Sequence, residues 1–580
     1  MIPPAARVHS PTRGLLSLSH RTQLIVVTAV AAAGIGWLAA SLPPEGFYSG
    51  DSGLKLIAAR SAIDHPRRPV ELDLPISGGK PMPYVDPMVE LHEGHGDVLQ
   101  SPLFPVISAP VIAVFGLRGA YVLPAIAFVA LLPLLDVIRR HATPDSSFAL
   151  LAWIGIAANP LFFYSLEFWE HSVAVAFIAA SVAAAFIGGR LTPGTGEDHR
   201  WGPALAGPTA AWWLVGSGAL AGFAALLRPE AVWFVVGLGL IVGVSNDAAR
   251  TFQVREQTIA FGCGVATAII PFAIANLVHT GTLLGPHASA NLDPLTHGYL
   301  AARWQRLDAW LWPHSLLAFA GLLLVAAAWL GGLFEVDLRV RQLVALAGAV
   351  TIAAAAAERL LPRDSFWQGF PLSLLALVPT APLPSSARRL YVIALVTLVG
   401  IVLTATHDGG AQWGARLLLV SAPPLMVLAA RGATQAVGVG RWRVARVALV
   451  LLTLIAGLAT SRSAYQELRS TKREYARLVQ TTASLTAPGD IIVTNVWWFD
   501  QIAASLYGSR VFLYTADRAS ATSALADLST TNVHRLALVW ASDADSSPDD
   551  VVQGSCFHIV DIHEAREHRL RLASARCGTE

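Results

Sequence analysis

With 54% hydrophobic and only 14% charged side chains over 580 residues, against about 25% charged in soluble domains, the chain reads as a polytopic membrane protein. Its net charge of +2 is too small, and its cations too scattered, for a nucleic-acid binder.

The first apolar stretch, 22–42, is long enough to cross about 30 Å of hydrocarbon as a helix. Arg7, Arg13 and Arg21 precede it and assign segment 1–21 to the cytoplasm. The stretch is longer than a signal-peptide core and lacks an A-x-A-like site, so a retained helix is expected.

Asp51 follows in GFYSGDSGLK, where a hydrophilic segment leaves the membrane, and a carboxylate there suggests chemistry at the membrane face. Leu54, Ile57, Ala58 and Ala62 recur at helical spacing, with Lys55 and Arg60 between them. That pattern predicts a short amphipathic helix along the membrane surface, for which Asp51 is alternatively an N-cap. PMPYVDPMVELHEGHGDVLQSPLFP then gathers Asp86, Glu90, His92, Glu93, His95 and Asp97. Their spacing matches no strong metal signature, so a solvated loop is expected and no metal is assigned, though a divalent cation stays open. Pro102, Pro105 and Pro110 break the next apolar segment into an interfacial or re-entrant element.

Further apolar stretches at 119–138, 146–166, 171–188, 209–227, 231–246, 257–276, 313–332, 341–360, 366–382, 390–406, 416–431 and 446–462 bring the total to about thirteen. Alternate connections carry Arg139 and Arg140, Arg190 and Arg200, Arg250 and Arg255, Arg339 and Arg341, Arg388 and Arg389, then Arg441, Arg443 and Arg446, as cytoplasmic loops do. This parity leaves the 43–118 loop, the 277–312 loop and everything after about 463 outside.

Two outer constellations invite function. NPLFFYSLEFWEHSVAVAF sets Glu167, Glu170 and His171 beside Tyr164 and Trp169. The aromatics suit an interfacial belt, while Glu170 and His171 are candidates for lining a polar cavity or, alternatively, a satisfied helix-turn pair. Arg228, Arg359, Arg363 and Arg416 break the charge rule at the outer face. Singly each can snorkel; as a set they could hold an anionic group such as phosphate.

In the tail, Tyr465–Leu485 predicts an amphipathic helix, followed by strands in DIIVTNVWW, RVFLYT and HRLALVW around a helical SATSALADL. A small α/β layer with a mostly parallel sheet is expected, serving in acceptor recognition or as a lid. It has no glycine-rich phosphate loop. Cys556 and Cys577 fall in the final pair of strands, where an oxidising compartment would permit one disulfide.

GFYSGDSGLK, SPLFP, FFYSLEFWEH, LLRPE and GGAQWGARLLL together resemble motifs of the C-type (GT-C) glycosyltransferases, over roughly residues 20–435. The plan is similar to the protein mannosyltransferase and lipid A aminoarabinose transferase branches. The resemblance implies a GT-C-like, polytopic α-helical membrane protein in three parts: segment 1–21, a transferase domain 22–462 containing the 43–118 loop, and an extracytoplasmic α/β domain 463–580. It implies a polyprenyl-phosphate-linked sugar as donor, with Asp51 acting at the acceptor. A paired acidic motif is usual in such loops, whereas Ser52 follows Asp51 here; Glu170, Glu93, Asp97 and the polar His171 are the available partners. Arg228 and Arg416, then Lys55 and Arg363, are the donor-phosphate candidates. The oligosaccharyltransferase tail motif, two tryptophans followed by aspartate and a glycine, is not reproduced by Trp497–Asp500, which reads as coincidence.

The expected activity is therefore transfer of a hexosyl or pentosyl group at the outer face, with Asp51 as general base, inversion at the sugar and no required cofactor. The acceptor, whether lipid, glycan or protein, stays open. An arginine-rich, lysine-poor composition and the lack of a eukaryotic retention tail favour a bacterial plasma membrane. A transporter or lipid-linked sugar flippase, and a surface-glycan polymerase or ligase, are the competing classes.

Overall fold

The computed structural model describes residues 19–578 apart from 68, 70, 73–75, 78–79, 82–87, 93–94, 99, 189–207, 244–250, 284, 286–298, 333, 358–364, 379–382, 406–412, 438–442, 532 and 543–546. Among these residues, eight helices are long and apolar enough to cross a membrane, and three shorter apolar helices, Phe148–Ala157, His171–Ile187 and Pro229–Gly243, accompany them. A ninth span arises if Tyr299–Leu311 and Leu316–Leu330 count together, but these meet at 95°. The fold is that of a multi-pass α-helical membrane protein. Most expected apolar stretches have a helical counterpart; the 366–382 stretch instead breaks into Phe366–Gly369, Pro371–Ser373 and Leu374–Leu377, because Pro371 cannot continue the preceding turn.

The first loop departs from expectation. Its helix, Gly50–Asp64, has no broad solvent-facing side: Ser52 to Ala59, Ser61 and Ala62 are all buried. The pattern of four apolar residues hid this, because Lys55 enters the interior with a carboxylate partner and so reads as an outward charge. After it, Glu71–Leu72, Val89–His92 and His95–Val98 pair as a small antiparallel sheet in which Asp97 lies opposite both Glu71 and Glu90. Glu93 lies outside the described residues. The proline-rich element forms a helix, Leu103–Phe115, and a 3-10 turn, Gly116–Tyr121, which runs on into Val122–Ala142.

The last membrane helix does not stop where the hydrophilic sequence starts. Arg443–Leu485 is one helix of 43 residues, so the expected boundary near 463 falls inside it. Beyond it the sheet is mixed rather than mostly parallel, with order Val511–Tyr514, Ile491–Thr494, Arg535–Ala541, Leu570–Cys577, Phe557–Ala565. The first three strands are parallel, and the last two form an antiparallel hairpin closed by the Cys556–Cys577 disulfide. Arg535–Ala541 is central and covered on both faces. Leu536, Leu538 and Trp540 pack towards the Arg518–Ser529 helix, Ala537 and Val539 towards Leu478 and Val479 of the long helix.

That long helix also grips the chain just before Asp51. Lys472, fully buried, donates to Glu167 at 2.9 Å and to the Tyr121 hydroxyl at 2.8 Å. Glu167 in turn accepts from the Tyr48 backbone N–H, and the Tyr48 hydroxyl donates to Glu467. Gly46 is required here, since a Cβ would overlap the Lys472 carbonyl. Breaking one member of a buried pair costs about 3–5 kcal/mol, whereas replacing both by apolar groups is often neutral. Lys472→Met is therefore expected to lower thermal stability in detergent clearly, and Lys472→Met with Glu167→Leu to recover part of the loss; a double variant worse than the sum of the singles would contradict this.

Candidate active site

Asp51 lies in the first turn of its helix, whose N-cap is Ser49. Its carboxylate is turned to side chains: one oxygen accepts from Gln100 Nε2 at 3.1 Å, the other from Arg416 Nη1 at 3.0 Å. One turn on, buried Lys55 meets Glu170 at 2.9 Å. Arg228 donates to the second Glu170 oxygen at 2.9 Å and holds Glu230 through its Nε at 2.7 Å. Three cations and three carboxylates from four distant parts of the chain thus meet in one cluster. Within it the Asp51 side chain is 31% exposed, against 7% for Glu170 and 12% for Glu230, so Asp51 is the acid most open to an incoming molecule.

Arg416 is held from below by aromatic packing. Its guanidinium lies over the Trp169 ring, 5.6 Å from the centroid. The Tyr164 hydroxyl donates to the Trp413 carbonyl at 2.9 Å and accepts from the Trp413 N–H at 3.0 Å, fixing the turn that presents Arg416. In that turn Gly414 (φ 71°) and Ala415 (φ 48°) are both left-handed, a cost accepted for a non-glycine only where surroundings enforce it. His171 stacks on Tyr164 with ring centroids 4.6 Å apart and lies 5.4 Å from Trp169.

Tyr164 and Trp169 are accordingly not an interfacial belt: both are fully buried, because they floor the ion cluster. Of the sequence-derived site residues, Asp51, Lys55, Glu170, His171, Arg228 and Arg416 converge. Arg363, like Arg359 and Glu93, lies outside the described residues. Asp97 is on a strand of the small sheet, three residues before Gln100 in the sequence. No group of three metal-ligating side chains occurs among the described residues.

Sequence reasoning missed Gln100, Glu230 and the tail contact. Glu230 was legible as the acid of LLRPE, two residues beyond Arg228. The tail segment NVWWFDQ, read as coincidence, supplies Gln501, whose backbone and side chain abut Gly50 and Gly53 so closely that a Cβ on either glycine would overlap it. Arg60 fastens the same junction by donating to the carbonyls of Ala504, Ser505 and Tyr507.

Burial alone would raise the Asp51 carboxyl, but Arg416 and Lys55 outweigh it and hold it below the ordinary 3.8. Burial likewise opposes ionisation of Glu170, yet Lys55 and Arg228, by charge and hydrogen bonding, bring it from 4.5 to about 2.

No family model and no curated protein matches the sequence. Among solved structures, the chain is similar to ArnT from Cupriavidus metallidurans bound to undecaprenyl phosphate, at 14% identity and TM-score 0.54, covering 95% of this chain and 98% of that one. An Archaeoglobus fulgidus oligosaccharyltransferase tethered with an acceptor peptide matches at 12% identity and TM-score 0.46, covering 90% and 70%. The near-complete overlap with ArnT shows that the two chains share a fold.

The Glu170 shift sets a stability window. Because its folded value is below the unfolded one, the stabilisation is complete above about pH 4.5 and is lost as pH falls towards 2. Fluorescence-monitored unfolding from neutral pH down should show this acid-sensitive component in the wild type, and Glu170→Gln should lower stability at neutral pH while flattening the profile below 4.5. An unchanged profile would contradict the assignment.

Proposed function

We propose that the protein transfers a sugar from a polyprenyl-phosphate donor to an acceptor hydroxyl at the extracytoplasmic face of a bacterial inner membrane, with the N-terminus cytoplasmic and residues after about 463 outside. The observation that carries this reading is the 3.0 Å pairing of Asp51 with Arg416 across 365 residues of sequence, beside Lys55 and Arg228. The ArnT structure with undecaprenyl phosphate supports a lipid-phosphate ligand for this fold.

A polyprenyl-phosphate sugar needs its chain in hydrocarbon and its phosphate at the interface. Arg416 is the cation best placed to receive that phosphate: its carboxylate partner is the partly exposed Asp51, whereas Arg228 is shared between buried Glu170 and the more enclosed Glu230. Exchange of Asp51 for phosphate on Arg416 removes the strongest influence lowering the Asp51 carboxyl, and so raises its basicity as the donor arrives. The acceptor oxygen then attacks the anomeric carbon while its proton passes to Asp51. The bond from that carbon to the phosphate oxygen breaks, and the lipid phosphate leaves with the electron pair, its charge held by Arg416 and Lys55 or Arg228. A single displacement inverts the anomeric centre.

Asp51→Asn keeps the shape and removes the base, so a folded protein with transfer reduced by about 10²–10⁴-fold is expected. Transfer of labelled sugar in lipid vesicles without a gradient measures it, and near-normal turnover would reject the role. Arg416→Ala should raise the donor KM more than the acceptor KM; equal loss for both would point to structural damage. Movement of labelled lipid across the vesicle without new glycosidic bonds would favour a flippase.

A further inference from the structure

Around the ion cluster, a second set of groups is left unsatisfied. Ser49 and Ser52 flank Asp51 in sequence, Trp169, His171 and Ser172 flank Glu170, and Gln100 donates to Asp51; each has a buried polar side-chain atom without a hydrogen-bond partner. In His171 both ring nitrogens are so, in a residue only 2% exposed. In Trp169 it is the indole N–H, and in Gln100 the amide oxygen. A buried polar atom left without a partner costs about 1–3 kcal/mol, and a set of them in one place calls for something that satisfies them.

The chemistry of that something follows from which groups are already taken. Asp51 is paired with Arg416, Glu170 with Lys55 and Arg228, and Glu230 with Arg228. With the donor phosphate on Arg416, the released Asp51 carboxylate is taken up as the base facing the acceptor, and Glu170 and Glu230 stay paired with Lys55 and Arg228, so an ammonium or carboxylate on the sugar would find no spare counter-charge and would be desolvated without gain. Apart from atoms of Glu170 and Arg416, charged side chains that already have partners, the unmatched groups are neutral, and they mix donors with acceptors: an indole N–H, an amide oxygen, an imidazole with one nitrogen of each kind, and hydroxyls. Uncharged hydroxyls, each both donor and acceptor, complement such a set.

We propose that Gln100, Trp169 and His171 form the subsite for the transferred sugar, and that this sugar is uncharged, bearing hydroxyls rather than amino or carboxyl groups where it meets them. This rests on the glycosyltransferase reading above. Arg416 links the two halves of the site: it pairs with Asp51 on one side and covers the Trp169 ring on the other. Turning the guanidinium towards the donor phosphate uncovers the indole for the sugar that the phosphate carries. His171, stacked on the fixed ring of Tyr164, is held in place while this happens.

The test compares lipid binding by the full-length protein in nanodiscs. The probes are undecaprenyl phosphate alone, undecaprenyl phosphate carrying glucose or mannose, and undecaprenyl phosphate carrying 4-amino-4-deoxyarabinose. A neutral sugar that gains two or three hydrogen bonds should bind about tenfold or more tighter than the bare lipid phosphate. His171→Phe keeps the stacked ring and removes both nitrogens, and Trp169→Phe keeps a ring beneath Arg416 and removes the N–H. Either should reduce the sugar-dependent gain, by about a factor of ten at most for one hydrogen bond, and His171→Phe, which leaves the Arg416–Trp169 contact in place, should also keep affinity for bare undecaprenyl phosphate within about twofold. Loss of affinity for both kinds of lipid in equal measure, retention of the full gain by both variants, or an aminoarabinose lipid binding as tightly as the neutral ones would overturn the subsite. Wild-type protein that binds none of the lipids would overturn the glycosyltransferase reading itself, and the subsite with it.

Discussion

Three cations and three carboxylates largely enclosed by protein are costly to desolvate, and they persist only because each charge finds a partner. Asp51 and Lys55 come from the first loop, Glu170 from the link before the His171–Ile187 helix, Arg228 and Glu230 from the turn before Val232–Gly243, and Arg416 from the turn before Ala422–Val437. Pairing across such distances in sequence ties the placement of four segments to one another. Moving any one segment would strand a charge, so the cluster both depends on the helical arrangement and constrains it.

The tail is bound to the same place by different forces. Buried Lys472 fastens the long terminal helix to Glu167, three residues before Glu170, and Gln501 packs into the glycine-lined start of the Asp51 helix. A displacement of the α/β layer would therefore be felt at Asp51 through both contacts. Acceptor recognition and lid action, the two roles foreseen for this layer, are physically compatible with a junction of that kind.

Much of the fold was legible because a bilayer leaves little freedom: a span must be a helix, and its length and flanking arginines show in the sequence. Asp51, Lys55, Arg228 and Arg416 were legible because each is an ionisable group set against apolar sequence, which requires a reason. What escaped is what depends on tertiary pairing. The burial of Gly50–Asp64 was hidden because Lys55 and Arg60 look solvated until Glu170 and the Ala504–Tyr507 carbonyls are brought to them. Tyr164 and Trp169 resembled a belt because their sequence context is interfacial, and only the approach of Trp413 and Arg416 shows them as a floor. The antiparallel hairpin was recognised, but its attachment to a parallel half was not, since strand order in a sheet leaves little local trace.

The central claim is that Arg416 exchanges Asp51 for a lipid phosphate. An experimental structure with undecaprenyl phosphate bound tests it most directly. The account predicts the phosphate within hydrogen-bond distance of the Arg416 guanidinium, with the Asp51 carboxylate released from it and facing the acceptor side. A phosphate bound away from Arg416, with the Asp51–Arg416 pair still closed, would contradict it.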